Sequence, residues 1–298
     1  MAERSYTAGR FAFGIDGEFA GFIRKCSGGV TKGELVTHKL GPSNFERKHL
    51  ATISHEPLTI EISMGMGLPL WRWIKDSWGR TFRQKTCELL TCDFNHKVMA
   101  VRVFEEAYIK KVTVPSLDGS NKDPGYFTVE LDPVAIRYEP GKGTIEGNEK
   151  VGSKKWLCSN FRLDIDGLPC KRVAKIDSFT WEQKIVPDEI GDEREYQKEP
   201  SSLTIPNLKL TISMADYEPW YAWFRSFVID GKCTNSDEKT GTLVFLGPDL
   251  QEELGTITFM NLGLISMEQE AMEANADKIA RFVVELYCES MFFDVFNN

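Results

Sequence analysis

Long apolar runs, paired cysteines and clustered histidines are all missing from this 298-residue chain. No apolar stretch approaches the roughly 20 residues of a membrane-spanning helix, and Met1-Ala2-Glu3-Arg4-Ser5 opens no signal-peptide core. The expectation is a chain made and folded in a cytoplasm, with no membrane partner. Its seven cysteines (Cys26, Cys87, Cys92, Cys158, Cys170, Cys233, Cys288) are odd in number, and none recurs at the matching place in the other half of the chain. A disulfide framework would have recurred, so reduced thiols are expected. The four histidines, His38, His49, His55 and His96, lie in the first half without ligand spacing, so surface positions and no metal are expected. Asp164-x-Asp166-Gly167 begins like a calcium loop, but the later ligand positions are missing. No Gly-Lys-Ser/Thr phosphate loop, Gly-x-Ser-x-Gly elbow or Ser, His and acid constellation occurs. The reading is therefore of a protein that is not an enzyme and carries no cofactor.

What the chain does have is a second copy of itself. Phe11-x-Phe13-x-Ile15-Asp16-Gly17 returns 150 residues later as Phe161-x-Leu163-x-Ile165-Asp166-Gly167. Leu58-x-Ile60-x-Ile62-Ser63-Met64 returns as Leu208-x-Leu210-x-Ile212-Ser213-Met214, and Pro69, Trp71 and Trp73 map onto Pro219, Tyr221 and Trp223. The offset holds without a gap from Phe11 to about Ile74. It then drifts to 155 at Phe127-x-Val129-Glu130-Leu131 against Phe282-x-Val284-Glu285-Leu286. Such self-similarity sets domain count before any other signal. Copy one is placed at 1–140, a linker poor in apolar residues at 141–155, and copy two at 156–298. The copies differ in charge: residues 1–150 hold 21 Lys and Arg against 19 Asp and Glu, whereas 151–298 hold 15 against 25.

Alternation of apolar residues at Phe11, Phe13, Ile15 and at Leu58, Ile60, Ile62 predicts half-buried strands. Asp16-Gly17 and Asp166-Gly167 have the dipeptide chemistry of two-residue hairpin turns, so each copy is expected to open on a hairpin. One helix per copy follows the apolar strand. Pro219 precedes Trp220, Trp223, Phe224 and Phe227 at helical spacing, and Pro69 precedes Leu70, Trp73 and Ile74. Trp71, Trp73, Trp220 and Trp223 are then core and helix-packing residues rather than a stacking platform for a ligand. Later strands are expected at 88–91, 98–104, 107–114 and 127–138, with counterparts at 242–246, 256–261, 264–267 and 281–293, and a helical turn or two at 268–278. The fold class is mainly β (α+β): two tandem β-sandwich or incomplete-barrel domains, each with one packed helix.

In order and spacing, this set resembles the tail tube proteins of contractile phages and phage-like contractile injection systems. The residues concerned are Ile15-Asp16-Gly17, Ala20-Gly21-Phe22, Leu70-Trp71-Arg72-Trp73 and Val129-Glu130-Leu131, with the second set already quoted. The resemblance implies a non-enzymatic structural protein whose tube-like domains self-assemble into a ring around a channel, as tube, tube-initiating ring, adaptor or hub. It departs from the family in its duplication, since ordinary tube subunits carry one domain. Three chains forming a pseudo-hexamer and six chains forming two stacked rings both satisfy two domains per chain. The linker does not decide, because it reaches up to about 55 Å when extended.

Partners implied by the resemblance are further copies of the chain and other tube, sheath or baseplate proteins of one particle. Assembly would be cytoplasmic and the product a virion or injection particle. The acidic run holding Asp188, Glu189, Asp192, Glu193 and Glu195 lies in the polar arm between strands. It reads as a solvated loop, a channel-facing wall or an assembly contact. No stripe of Lys and Arg marks copy two for specific nucleic-acid binding. The competing reading is a scaffolding or binding module that uses the duplicated fold without forming tubes.

Overall fold

The structure is a computed structural model and describes residues 9–39, 41, 45–145, 156–191, 195–270 and 279–296. Copy one runs β1 (Arg10–Ile15), β2 (Glu18–Ile23), β3 (Lys25–Gly28), β4 (Thr31–Lys39), β5 (Glu46–His55), β6 (Leu58–Ile62) and α1 (Leu68–Trp78). It closes with β7 (Lys85–Cys92), β8 (Val98–Val114), β9 (Leu117–Asp118), β10 (Phe127–Asp132) and β11 (Ala135–Pro140). Copy two runs β12 (Phe161–Ile165), β13 (Val173–Ile176), β14 (Phe179–Asp188), β15 (Gln197–Thr204), β16 (Leu208–Ser213) and α2 (Tyr217–Phe224), which widens into a π-helical turn over Arg225–Ile229. It ends with β17 (Lys239–Leu246), β18 (Glu253–Gln269), β19 (Arg281–Tyr287) and β20 (Ser290–Val295). The fold is mainly β, and all pairings between these strands are antiparallel.

The same pairings occur in each half. β1 lies on β7 and β12 on β17; β6 lies on β10 and β16 on β19; β3 lies on β6 and β13 on β16. The register carries the 155 offset, since Ile109 faces Leu131 and Leu264 faces Leu286. Each half has one 17-residue strand, β8 or β18, where two shorter strands are expected from the sequence. These strands stay continuous but bend at Glu106 (φ 48°) and Asn261 (φ 56°), positions 155 apart in the left-handed region. The bend lets one strand serve two layers: the N-terminal part of β8 pairs with β7 and β11, the C-terminal part with β10. The segments 127–138 and 281–293, each expected to form one strand, are broken instead. Pro133 has no N–H to donate where β10 gives way to β11, and the chain leaves the ladder at Cys288–Glu289 before β20.

Asp16 (φ 51°) and Gly17 (φ 81°) adopt the positive dihedrals that a tight primed turn needs, and β2 pairs back on β1. Asp166 and Gly167 also turn the chain, but a full hairpin does not follow. Only an isolated Ile165–Leu168 bridge closes the turn, because Pro169 cannot continue the ladder and instead offers its carbonyl to Trp220 Nε1 at 3.1 Å. Glu268 and Gln269 finish β18 rather than starting a helical turn; 271–278 lie outside the described residues, as does 146–155 of the expected linker.

The helices cover the inner faces as the apolar spacing requires. Trp73 is fully buried and donates Nε1–H to Arg83 O at 2.9 Å, while Trp71 donates to Met66 O at 3.0 Å. Trp220 and Trp223 are buried under α2, 6.1 Å apart between ring centroids. All seven thiols are free, and burial pushes the Cys87 thiol far up and those of Cys170 and Cys288 to about 11. A single cluster of buried side chains runs through both halves.

Trp73→Ala and Trp223→Ala are each expected to lower unfolding free energy by about 3–5 kcal/mol, the usual loss for a buried aromatic. Denaturant unfolding checks this; an unchanged midpoint in both variants would show that the rings contribute no packing.

Candidate assembly surface

The candidate surface comprises the two polar arms and the junction between the halves. In copy two, the first residues of β14 extend the sheet of copy one by pairing with the far end of β8: Phe179 faces Val114, Thr180 faces Thr113, Trp181 faces Val112 and Glu182 faces Lys111. Lys111 Nζ reaches Glu182 at 3.1 Å, and the hydroxyls of Thr113 and Thr180 lie 2.9 Å apart. In the other direction β9 of copy one pairs with β13 of copy two. The copies thus exchange strands, and β14–β15 lies in the same sheet as copy one.

Aromatic rings close the junction from the helix side. Phe293 of β20 sits 5.2 Å from Trp71 and 5.7 Å from Trp78, and Trp78 stacks at 6.1 Å on Trp181. Trp156 and Phe245 of copy two meet Phe127 of copy one at 5.7 and 5.4 Å. Lys75 of α1 is paired with Asp294 at the rim. Trp78 Nε1 has no protein hydrogen-bond partner, so shape and burial rather than polarity hold the ring.

The copy-one arm has no such support. β4 and β5 pair only with each other, as a separate two-stranded sheet, and Leu35 and Leu50 on it are exposed. Where this hairpin approaches copy two, a cleft of about 490 Å³ is lined by residues including Thr52, His55, Val134, Glu195 and Lys198. Glu195 takes a two-pronged contact from Arg137 at 2.5 and 2.6 Å, and Arg137 also reaches Glu105 at 3.2 Å. Lys198 is paired with Asp132 and donates to Pro133 O at 2.7 Å. The Arg137 fork holds the Glu195 carboxyl below its usual range. Burial lowers the His55 imidazole, outweighing Glu195, whose carboxylate lies 3.3 Å from His55 Nε2. Thr31 Oγ1 contacts the other ring nitrogen at 3.0 Å. His55 is therefore buried rather than at the surface, a correction to the histidine expectation. Its neighbours Thr31, Glu195 and Lys198 come from distant segments, and no local motif announces them.

Of the acidic run, Glu195 is drawn into this contact between copies, Glu189 borders the cleft and Asp188 is exposed at the end of β14. Asp192 and Glu193 lie outside the described residues. Among the described residues no group of three or more His, Cys, Asp or Glu gathers to hold a metal, and no helix is long and apolar enough to cross a membrane.

The two halves thus pair their strands alike, and the polar arm of the second half is docked as an added strand on the first. Residues 7–133 match the family of T4-like virus tail tube protein gp19, which bears out the resemblance drawn from the sequence and gives the chain a structural role in a tail tube or ring. No curated protein matches the sequence. Solved structures similar to the chain include one of an extracellular contractile injection system, PVC sheath/tube terminator in the extended state. It is 15% identical with TM-score 0.39, covering 47% of this chain and 99% of that one. A second is the PVC sheath-tube complex of such a system (15%, TM-score 0.36, 46% and 89%), and a third is Hcp1 from Flavobacterium johnsoniae (10%, TM-score 0.27, 46% and 98%).

The arm contact carries a pH signature. Unfolded, His55 and Glu195 have their ordinary pKa values of 6.5 and 4.5; folded, both lie lower. The unfolded chain therefore binds these protons more readily. Each group contributes stability that is complete above its unfolded value and is lost as pH falls through the folded one. The melting temperature is expected to drop on acidification, and Glu195→Gln should flatten the part of the drop below about pH 4.5. Parallel profiles for the two proteins would mean that the Arg137–Glu195 contact adds nothing to folding.

Proposed function

We propose that this chain is a non-enzymatic ring subunit of a phage tail or contractile injection particle, with tube-like domains at 1–140 and 156–298 joined by 141–155. Three chains would make a closed pseudo-hexameric ring around a channel, as a tube-initiating, adaptor or hub ring or as part of the tube. The observation that carries this is the added strand: the arm of copy two completes the sheet of copy one by backbone pairing. A ring of such domains needs this contact at every junction. Edge strands left open invite the same pairing from another chain, and a head-to-tail interface either closes into a ring or continues as a helix. The charge difference between the halves favours alternation of unlike copies around one ring. Assembly would be cytoplasmic, with other tube, sheath or baseplate components as partners above and below.

Light scattering after size exclusion tests the stoichiometry. A mass of three chains is expected, with association weakening as salt rises because exposed charges are screened beyond about 8–10 Å at physiological ionic strength. A six-chain particle with the two copies at different heights would replace the trimer by stacked rings. A chain that stays monomeric alone and beside its particle components would favour the scaffold reading instead.

A further inference from the structure

The junction between the copies has an exposed counterpart, one side of it in the first half of the chain and the other in the second. Four buried side chains build the internal junction: Trp71 and Trp78 on α1 (2% and 3% exposed), Phe293 on β20 and Trp181 on β14. The 150 offset carries Trp71 to Tyr221 and Trp78 to Val228, beside Ile229 in the widened turn. The 155 offset of β20 carries Phe293 back to Tyr138, and the 150 offset carries Trp181 back to Thr31. Strand register supports the second mapping independently, since Phe293 faces Ile257 and Tyr138 faces Arg102, both 155 apart. Of these counterparts Tyr221 is 39% exposed, Val228 41% and Tyr138 58%. Tyr138 and Thr31 already adjoin, with Thr31 N–H donating to the Tyr138 hydroxyl at 3.2 Å, as Phe293 and Trp181 both adjoin Trp78.

Charge repeats as well. The rim pair Lys75–Asp294 maps onto Arg225 and Glu139, which are both exposed and opposite in sign. The backbone edge is also vacant: among the described residues Ser266–Gln269 of β18 pair on one side only, with β19, whereas the matching stretch of β8 holds β10 on one side and β14 on the other.

We infer that a second copy of this chain docks at this site by repeating the internal junction, with Gly29–Lys32 added to the edge of β18, Tyr138 seated on Tyr221 and Val228, and Glu139 paired with Arg225. This rests on the reading of the chain as a ring subunit and gives that ring its contact. The register follows from the internal one: Thr31 faces Met267 and Lys32 faces Ser266, as Trp181 faces Val112 and Glu182 faces Lys111. Lys32, which pairs with Glu56 in the chain alone, then lies on the same face as Glu268, one diagonal step away, and can share its charge with that edge. The partner is fixed as the same chain because both halves of the contact are present on one molecule, and each repeats a surface already matched in the internal junction.

The test uses the full chain with Cys233→Ser, which removes the exposed native thiol. Glu139→Cys with Arg225→Cys is expected to give interchain disulfides closing at the covalent trimer on mild oxidation, absent from either single variant. Separately, Glu139→Arg or Arg225→Glu should each weaken association by about tenfold or more, and the two together should restore it to within a few-fold, the coupling expected of a direct pair. Circular dichroism and melting temperature verify that each variant folds. Oligomers that form with neither cross-link nor rescue overturn this interface and leave the ring reading standing. Absence of any oligomer in the unmutated chain, alone and with its particle components, overturns both.

Discussion

The backbone pairing of β14 with β8 is the constraint on which the rest of this molecule depends. β8 is long because it must serve two layers, and its far end would be an open edge in a lone domain. Filling that edge with a strand from the other copy satisfies hydrogen bonds that water would otherwise have to meet. It also brings Trp181 under Trp78, after which Phe293, Trp71 and Phe127 pack as one body. The two halves thus share one core. Trp71, Trp78 and Phe127 of the first half are buried against Phe293, Trp181 and Phe245 of the second, so at this junction folding energy and interface energy cannot be separated.

Much of this was legible in the sequence because it rests on local periodicity. The alternation at Phe11, Phe13, Ile15 and at Leu58, Ile60, Ile62 marks buried faces of strands, and Pro69 and Pro219 mark helix starts. What was not legible depends on long-range geometry. The bends at Glu106 and Asn261 put ordinary polar residues in the left-handed region, where no glycine betrays them. His55 looks like any isolated histidine until Glu195, 140 positions later, is folded against it. The failure of Asp166-Gly167 to start a full hairpin came from Pro169, whose carbonyl is used by Trp220 instead. The pairing of β14 with the other half is marked locally only by Phe179 and Trp181, where the matching positions hold Gly29 and Thr31 and β4 is left undocked.

The two copies have diverged where their circumstances differ. Under the proposed assembly, the internal junction forms once, during folding, and never meets water again; it carries Trp71, Trp78, Trp181 and Phe293. The terminal junction must be soluble in the free chain and buried only after assembly, and it carries Tyr221, Val228, Thr31 and Tyr138. Each ring of the second set that is aromatic is a tyrosine, which presents a hydroxyl to water and still offers a broad apolar face to a partner. Tryptophan and phenylalanine in those places would expose a contiguous apolar patch on the monomer and promote indiscriminate association.

The same reasoning explains why charges of opposite sign stand at both rims while the aromatic interior changed. An exposed pair such as Lys75 with Asp294 contributes little to stability, because solvent screens it and long side chains lose freedom. Its value lies in orientation: opposite charges steer approach and penalise a slipped register, where like charges would meet. Inside the chain the linker already ensures encounter, so the pair there is nearly redundant. Between chains there is no linker, and register must be chosen from all the ways two β edges can slide past each other. Under the proposed assembly Arg225 and Glu139 supply the selection that the backbone ladder alone, with its near-equivalent steps, does not.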